Sequence, residues 1–277
     1  MSKFQKFMLA GIATAVTLTA TAAGLCTIAK RDNHIALYNN DAMLVATAAG
    51  GNYAISSIQL KHKSFLYGLT FTCYEKGVKD PCSEARTPAG KCTELKAEAK
   101  DGKICWQVKY QWRNMEVIRT IETGDYPGFK LTYDFEVTND FEFDKIYLSF
   151  NLPQSNVYNR SGYIKNGVFQ FRPVRKAEWF GILRNRYFPY ITFSGDTVNE
   201  GIMIAAGDMT SWNRLPGTLL YATTDKCYYV VQFMYQFDKV LKKGEKHSIS
   251  VYVIPVSAKN TAADAAAAFL QIKDSIK

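Results

Sequence analysis

The chain has 277 residues, of which 47% are hydrophobic, 14% aromatic and 21% charged, and its 34 Lys and Arg outweigh 25 Asp and Glu for a formal net charge of +9. The length suits one large β domain or two small ones. A basic balance admits nucleic acid, an acidic polysaccharide or an anionic membrane surface as partner, and the N-terminus decides which of these are reachable.

Lys3 and Lys6 precede a run of 23 residues, Phe7 to Ala29, without a charge. The run is apolar from Phe7 to Leu18 and then thins into Ala, Thr and Gly, the order of a secretory signal. Residues 1–23 are read as a signal peptide cleaved after Ala22 or Ala23. A bilayer needs roughly 20 residues, so an uncleaved anchor is a rival, although only Phe7, Met8, Leu9, Ile12, Val16, Leu18, Leu25 and Ile28 are large and apolar. Lipidation at Cys26 is a third reading, disfavoured by the bulky Leu25 before it. The expected location is exported, periplasmic or extracellular, with membrane association only if the leader is retained. Export removes nucleic acid from the partners. Loss of Lys3 and Lys6, and of no acid, takes the charge from +9 to +7. Scattered lysines such as Lys91, Lys96, Lys100, Lys242, Lys243 and Lys246 read first as a solvated surface.

From residue 35 onward the dominant period is two, which predicts strands with one face buried. In chain order the inward sets are Ile104, Trp106, Val108, Tyr110 and Trp112; Phe129, Leu131, Tyr133, Phe135 and Val137; Ile146, Leu148, Phe150 and Leu152; Tyr229, Val231, Phe233, Tyr235 and Phe237; and Ile249, Val251 and Val253. Lys130, Thr132, Asp134 and Glu136 fill the outward positions of the second set. Turn signals part the runs, among them Asp101-Gly102, Asn139-Asp140, Asn166-Gly167, Gly195-Asp196 and Lys243-Gly244. The fold class is therefore all-β, a large two-sheet, mostly antiparallel sandwich. No linker or repeat divides residues 33–258, which read as one domain. Residues 260–277 read as a C-terminal helix, with Thr261 and Asp264 as a variant capping box and Phe269, Leu270 and Ile276 to dock it.

Six cysteines are an even number, and Cys73, Cys82, Cys92 and Cys105 fall within 33 residues. In an oxidising compartment they predict disulfides, with Cys82 to Cys92 and Cys73 to Cys105 the favoured pairs. Cys227 is left to pair with Cys26 or to stay free. A metal site is not expected, since close ligand pairs with nearby histidines are missing. No cofactor is expected either, since Gly50-Gly51 lacks the rest of a phosphate loop, and no Ser nucleophile is expected, since no G-x-S-x-G occurs.

Several stretches together resemble the galactose mutarotase-like supersandwich, over about residues 35 to 258. They are an opening strand with a Gly-Gly break (Met43 to Ile55), K-L-T-Y-D-F-E-V-T-N-D (Lys130 to Asp140) feeding I-Y-L-S-F-N-L-P (Ile146 to Pro153), and the closing L-K-K-G-E-K-H-S-I-S-V-Y-V-I-P-V (Leu241 to Val256). E-W-F-G-I-L-R-N-R-Y-F (Glu178 to Phe188) is similar to a strand of the periplasmic domain of YidC-type insertases, which has that fold. The resemblance implies a sugar-related site. Sugar mutarotases move a proton with histidines and a carboxylate, whereas this chain has only His34, His62 and His247, not placed as a pair. Epimerase or lyase activity is thus disfavoured, and no catalytic residue is assigned.

The strongest binding candidates are Trp179, Arg184, Asn185, Arg186 and Tyr187, because sugars stack on aromatic faces and Arg and Asn donate in fixed geometry. The alternative packs Trp179, Ile182 and Phe188 between sheets. Trp212, between strand runs, is the second candidate, with a loop anchor as its alternative. Arg172, Arg175 and Lys176 form a basic cluster suited to an acidic glycan or a lipid headgroup, or a solvated strand end. The expected partners are a glycan or acidic polysaccharide, or an envelope protein.

Overall fold

The computed structural model describes residues 26–39, 42–47, 53–60, 63–86, 92–153, 161–164, 167–170, 178–183, 190–194, 200–207, 218–223, 228–235, 240–257, 262–274 and 276. The leader, residues 1–23, lies outside them. The strands in chain order are β1 (Cys26–Arg31), β2 (His34–Asn39), β3 (Ala42–Thr47), β4 (Ala54–Leu60), β5 (Lys63–Glu75), β6 (Cys82–Ser83), β7 (Cys92–Lys100), β8 (Lys103–Gln111), β9 (Met115–Glu122) and β10 (Phe129–Val137). They continue with β11 (Phe141–Pro153), β12 (Ser161–Ile164), β13 (Gly167–Gln170), β14 (Glu178–Leu183), β15 (Tyr190–Ser194), β16 (Glu200–Ala206), β17 (Thr218–Thr223), β18 (Tyr228–Tyr235), β19 (Val240–Leu241) and β20 (Lys246–Ser257). A short 3-10 turn, Glu84–Arg86, follows β6, and helix α1 (Ala262–Lys273) closes the chain.

Among the described residues every strand pairing is antiparallel, in two large sheets. The first has 11 strands in the order β1-β2-β3-β4-β5-β11-β18-β17-β14, with β6 added on β5 and β19 on β11; the second has 9, in the order β13-β12-β15-β16-β20-β10-β9-β8-β7. The expected two-sheet sandwich is thus what forms. Alternation explains it most simply in β10, where Phe129, Leu131, Tyr133, Phe135 and Val137 are buried while Asp134 and Glu136 are exposed. The β7–β8 hairpin turns on Asp101 and Gly102, whose φ values of 51° and 72° are both positive, as a two-residue I′-type connection needs. Ile35, Leu37, Phe71, Trp106, Tyr110, Leu131, Leu148 and Val251 help fill one core between the sheets.

A second cluster lies on the outer side of the 9-stranded sheet, where α1 covers Met203, Ala205, Tyr252, Ile254 and Val256 with Ala265, Ala268 and Ile272. Of the expected docking residues, Phe269 and Ile276 pack against this cluster partly buried, the Phe269 ring 4.9 Å from that of Tyr190, whereas Leu270 is 61% exposed. The spacing i, i+3, i+7 puts Ala265, Ala268 and Ile272 on one helical stripe, and the two alanines let the helix axis approach the sheet closely. Among the described residues no helix is long and apolar enough to cross a membrane.

Candidate functional site

With α1 seated on the 9-stranded sheet, the outer side of the 11-stranded sheet is the face no described helix covers. At its centre β11 lies between β5 and β18. The inward residues Ile146, Leu148 and Phe150 sit opposite Cys73, Phe71 and Leu69 of β5, so the residues between them point outward. Outward on β11 are Lys145, Tyr147, Ser149 and Asn151; opposite the first three are Tyr74, Thr72 and Thr70. Thr72, Tyr147 and Ser149 are only 6%, 7% and 9% exposed although they face away from the core, so they are covered on this side as well, whereas Thr70, Tyr74, Lys145 and Asn151 are partly exposed.

The rings of Tyr74 and Tyr147 stack at 6.0 Å between centroids, and Lys145 Nζ lies 4.5 Å from the Tyr74 ring centre and 5.8 Å from that of Tyr147. Asn151 Nδ2 lies beside Gly68, where an added Cβ would meet it at 3.3 Å. Two aromatic faces, three hydroxyl-bearing residues, an amide and one cation are the elements that a sugar site combines: rings for C–H faces, dipoles for hydroxyls, and a charge for a carboxylate. Sequence reading assigned Ile146, Leu148 and Phe150 to the core and passed over the other parity. The available signal was the absence of charge at Tyr147, Ser149 and Asn151, whereas the outward positions of β10 carry Lys130, Asp134 and Glu136.

The structure places Trp179 in β14, its backbone opposite Tyr221 of β17, at the far edge of the same sheet. Arg184, Asn185, Arg186, Tyr187 and Trp212 lie outside the described residues, as do Arg172, Arg175, Lys176, His62 and Cys227. His34 starts β2 in one sheet, and His247 belongs to β20 in the other, where it stacks on Phe135 at 5.1 Å and contacts Glu245 at 3.1 Å. These two histidines do not converge. Among the described residues no group of three His, Cys, Asp or Glu side chains could hold a metal ion.

The other concentration of charge is internal. Arg119 of β9 and Glu84 of the 3-10 turn are both fully buried, and Arg119 Nη1 donates to Glu84 Oε1 at 2.9 Å. Arg119 Nη2 donates to the Tyr53 carbonyl at 2.7 Å, and the Phe71 N–H and Tyr133 hydroxyl donate to Glu84 Oε2, each at 3.3 Å. The guanidinium carbon sits 4.9 Å from the Trp106 ring centre and 5.5 Å from that of Tyr110. Burial pushes the Glu84 carboxyl up, against the pull of Arg119 and of the Phe71 and Tyr133 donors. Burial also works to lower Arg119, but the Tyr110, Glu84 and Tyr133 oxygens raise it further, so it stays protonated. Arg119 Nε has no hydrogen-bond partner among the described residues. Sealed from solvent, the pair ties the sheets together and offers a ligand no entrance.

No disulfide joins the five described cysteines, Cys26, Cys73, Cys82, Cys92 and Cys105, in this structure. The register speaks against Cys73 with Cys105, one of the two expected pairs. Cys73 of β5 lies opposite Cys82 of β6 within the 11-stranded sheet, while Cys105 lies on β8 of the other sheet, opposite Glu98 and Glu122. Cys105 also has the outward parity of its strand, between the buried Ile104 and Trp106, so the sheet itself separates it from Cys73. Cys92 pairs with Tyr110 of β8.

No protein-family profile matches the chain, and no curated protein matches it in sequence. Solved structures do match. A provisionally named aldose 1-epimerase from Escherichia coli K12 aligns with TM-score 0.53 and 9% identity over 83% of this chain and 99% of that one. Heparinase III aligns with TM-score 0.51 and 11% identity over 86% of this chain and 38% of that one. A YidC insertase aligns over 91% of this chain and 45% of that one at 10% identity, with a TM-score of 0.38. Two antiparallel sheets in this order over a shared core, matched by the epimerase and Heparinase III structures, give the chain a two-sheet supersandwich fold similar to theirs.

Proposed function

We propose that the chain is an exported, non-catalytic carbohydrate-binding protein that holds a sugar on the outer face of β5 and β11. One observation carries this reading: the uncharged outward row of Thr70, Thr72, Tyr74, Tyr147, Ser149 and Asn151, with Lys145 as the one cation among its described residues. The fold neighbours named for sugar chemistry support it. Lys145 and the basic chain favour a glycan bearing carboxylates.

A glycan array that includes neutral and uronate-bearing oligosaccharides, followed by calorimetric titration, tests this. Binding is expected to weaken about tenfold or more in Tyr74→Ala and Lys145→Ala, the scale of one lost stacking or charged contact. No binding to any glycan, or unchanged affinity in both variants, would sink the reading.

A second reading is an envelope protein that binds a protein partner, and it is favoured by β7. This strand ends the 9-stranded sheet, with Leu95 to Lys100 exposed and one backbone edge open among the described residues. An open edge accepts an added strand. Cross-linking from residue 97 in cells, with no glycan bound in vitro, would favour it over the first reading.

A further inference from the structure

We infer that Cys73 and Cys82 form a cross-strand disulfide that fastens β6 and the Glu84 turn to the 11-stranded sheet. The two residues are register partners, so their side chains leave the same face of the sheet. Directly opposite residues of antiparallel strands have Cα atoms roughly 4.5 or 5.5 Å apart, and both values lie within the span a disulfide bridges. Cys82 Sγ donates to Glu75 Oε1 at 3.4 Å, and Glu75 stands two residues after Cys73, on the same face as it. Cys105, by contrast, stands on β8 of the other sheet, opposite Glu98 and Glu122.

The bond has a structural use at this place. β6 is two residues long, and the turn after it supplies Glu84, the carboxylate that the described residues place on the buried Arg119. A two-residue strand has few ladder bonds with which to hold such a turn. Locking Cys82 to the 13-residue β5 limits how far Glu84 can leave the core.

The chemistry is thiol–disulfide exchange with a small disulfide such as glutathione disulfide. Cys82 is half-buried and Cys73 fully buried, so Cys82 is the entry point. The Cys82 thiol loses its proton and attacks one sulfur of the oxidant, which breaks the oxidant's S–S bond and releases one thiol. Cys73 then loses its proton and attacks Cys82 Sγ, breaking the mixed disulfide and releasing the second thiol. Two electrons and two protons pass from the pair to the oxidant.

The test is peptide mapping of the full chain, reduced, equilibrated in a glutathione/glutathione disulfide buffer, alkylated and digested with trypsin. The four clustered cysteines fall on separate peptides, 64–76, 80–86, 92–96 and 104–109. The expected product is 64–76 joined to 80–86. Joining of 80–86 to 92–96, joining of 64–76 to 104–109, or full alkylation of Cys73 and Cys82 would overturn the inference. As a second readout, reduction is expected to lower the Tm of the oxidised wild type by about 5 °C and to leave Cys82→Ser unchanged. An equal drop in both proteins would overturn it as well. Neither readout depends on the export or sugar-binding readings.

Discussion

Arg119 Nη1 and Glu84 Oε1 meet at 2.9 Å with both side chains wholly removed from solvent, and this contact joins β9 of one sheet to the turn at the end of β6 in the other. A buried pair has given up two hydration shells, so removing one partner strands a charge while removing both does not. Arg119→Met and Glu84→Gln are each expected to destabilise the protein by about 3–5 kcal/mol in urea unfolding. Arg119→Met combined with Glu84→Leu should recover a large part of that loss. A double variant as unstable as the sum of the single ones would show that the two residues act independently.

Helix α1 offers a contrast between two apolar residues of one segment. Ile272 is fully buried against the 9-stranded sheet and Leu270 is mostly exposed. Ile272→Ala should cost about 2–4 kcal/mol, and Leu270→Ala should stay within about 0.5 kcal/mol of wild type. Comparable losses in denaturant midpoints would mean that Leu270 has a contact in solution that the packing on β16 and β20 does not give it.

The two helix residues also show where sequence reading stops. Period-two alternation made β8, β10 and the inner face of β11 legible, because each of those strands has one face on the shared core and polar or charged residues on the other. It under-read β20, where Tyr252 and Ile254 are as buried as Val251 and Val253 because α1 covers the second face. Leu270 reads as a docking residue in the sequence, but the stripe that faces the sheet is set by Ala265, Ala268 and Ile272. The Thr70 to Tyr74 and Tyr147 to Asn151 rows needed the β5–β11 register before they became one surface. Glu84 and Arg119 stand 35 residues apart, and no local pattern joins them.

Cys92 should be a slow nucleophile. Burial pushes its thiol up to about 11, while the neighbouring Arg119 lowers it less than burial raises it. Only the thiolate attacks, and at pH 8 a thiol of that acidity holds on the order of a hundredth of the thiolate that an unperturbed cysteine does. Iodoacetamide labelling of peptide 92–96 in the native protein should accordingly run about two orders of magnitude slower than in urea. Equal rates would place Cys92 in open solvent.

Asp140 couples two turns, accepting from the Lys243 N–H at 2.8 Å and from Lys242 Nζ at 3.0 Å. These donors, the Lys243 N–H first, hold its carboxyl below the ordinary aspartate value of 3.8. The folded state thus binds this proton less readily than the unfolded state, and the stabilisation is present above pH 3.8 and lost as pH falls through the lower folded value. Wild type should exceed Asp140→Asn in stability at pH 6, and the gap should close on acidification below that value. A gap that stays constant down to pH 2 would assign the difference to something other than ionisation.

Two glycines with nearly the same backbone test whether space or conformation sets the cost of a side chain. Gly128 has φ of 83° and Gly77 has φ of 75°, so alanine is strained at both. A Cβ on Gly77 would meet nothing within 4 Å, which leaves the conformational term alone, about 1 kcal/mol. A Cβ on Gly128 would come within 2.3 Å of the Val253 carbonyl oxygen and 2.9 Å of the Ile254 Cα, both backbone atoms of the central strand β20. Neither can swing aside as a side chain can. The Gly128 carbonyl also accepts from Asn39 Nδ2 at 2.6 Å, so a shift there would disturb a buried bond to β2. Gly128→Ala should therefore cost about 3 kcal/mol or more, against about 1 kcal/mol for Gly77→Ala, when both are compared in urea unfolding. Similar losses at the two positions would mean that the approach of β20 to Gly128 is looser in solution than these distances require.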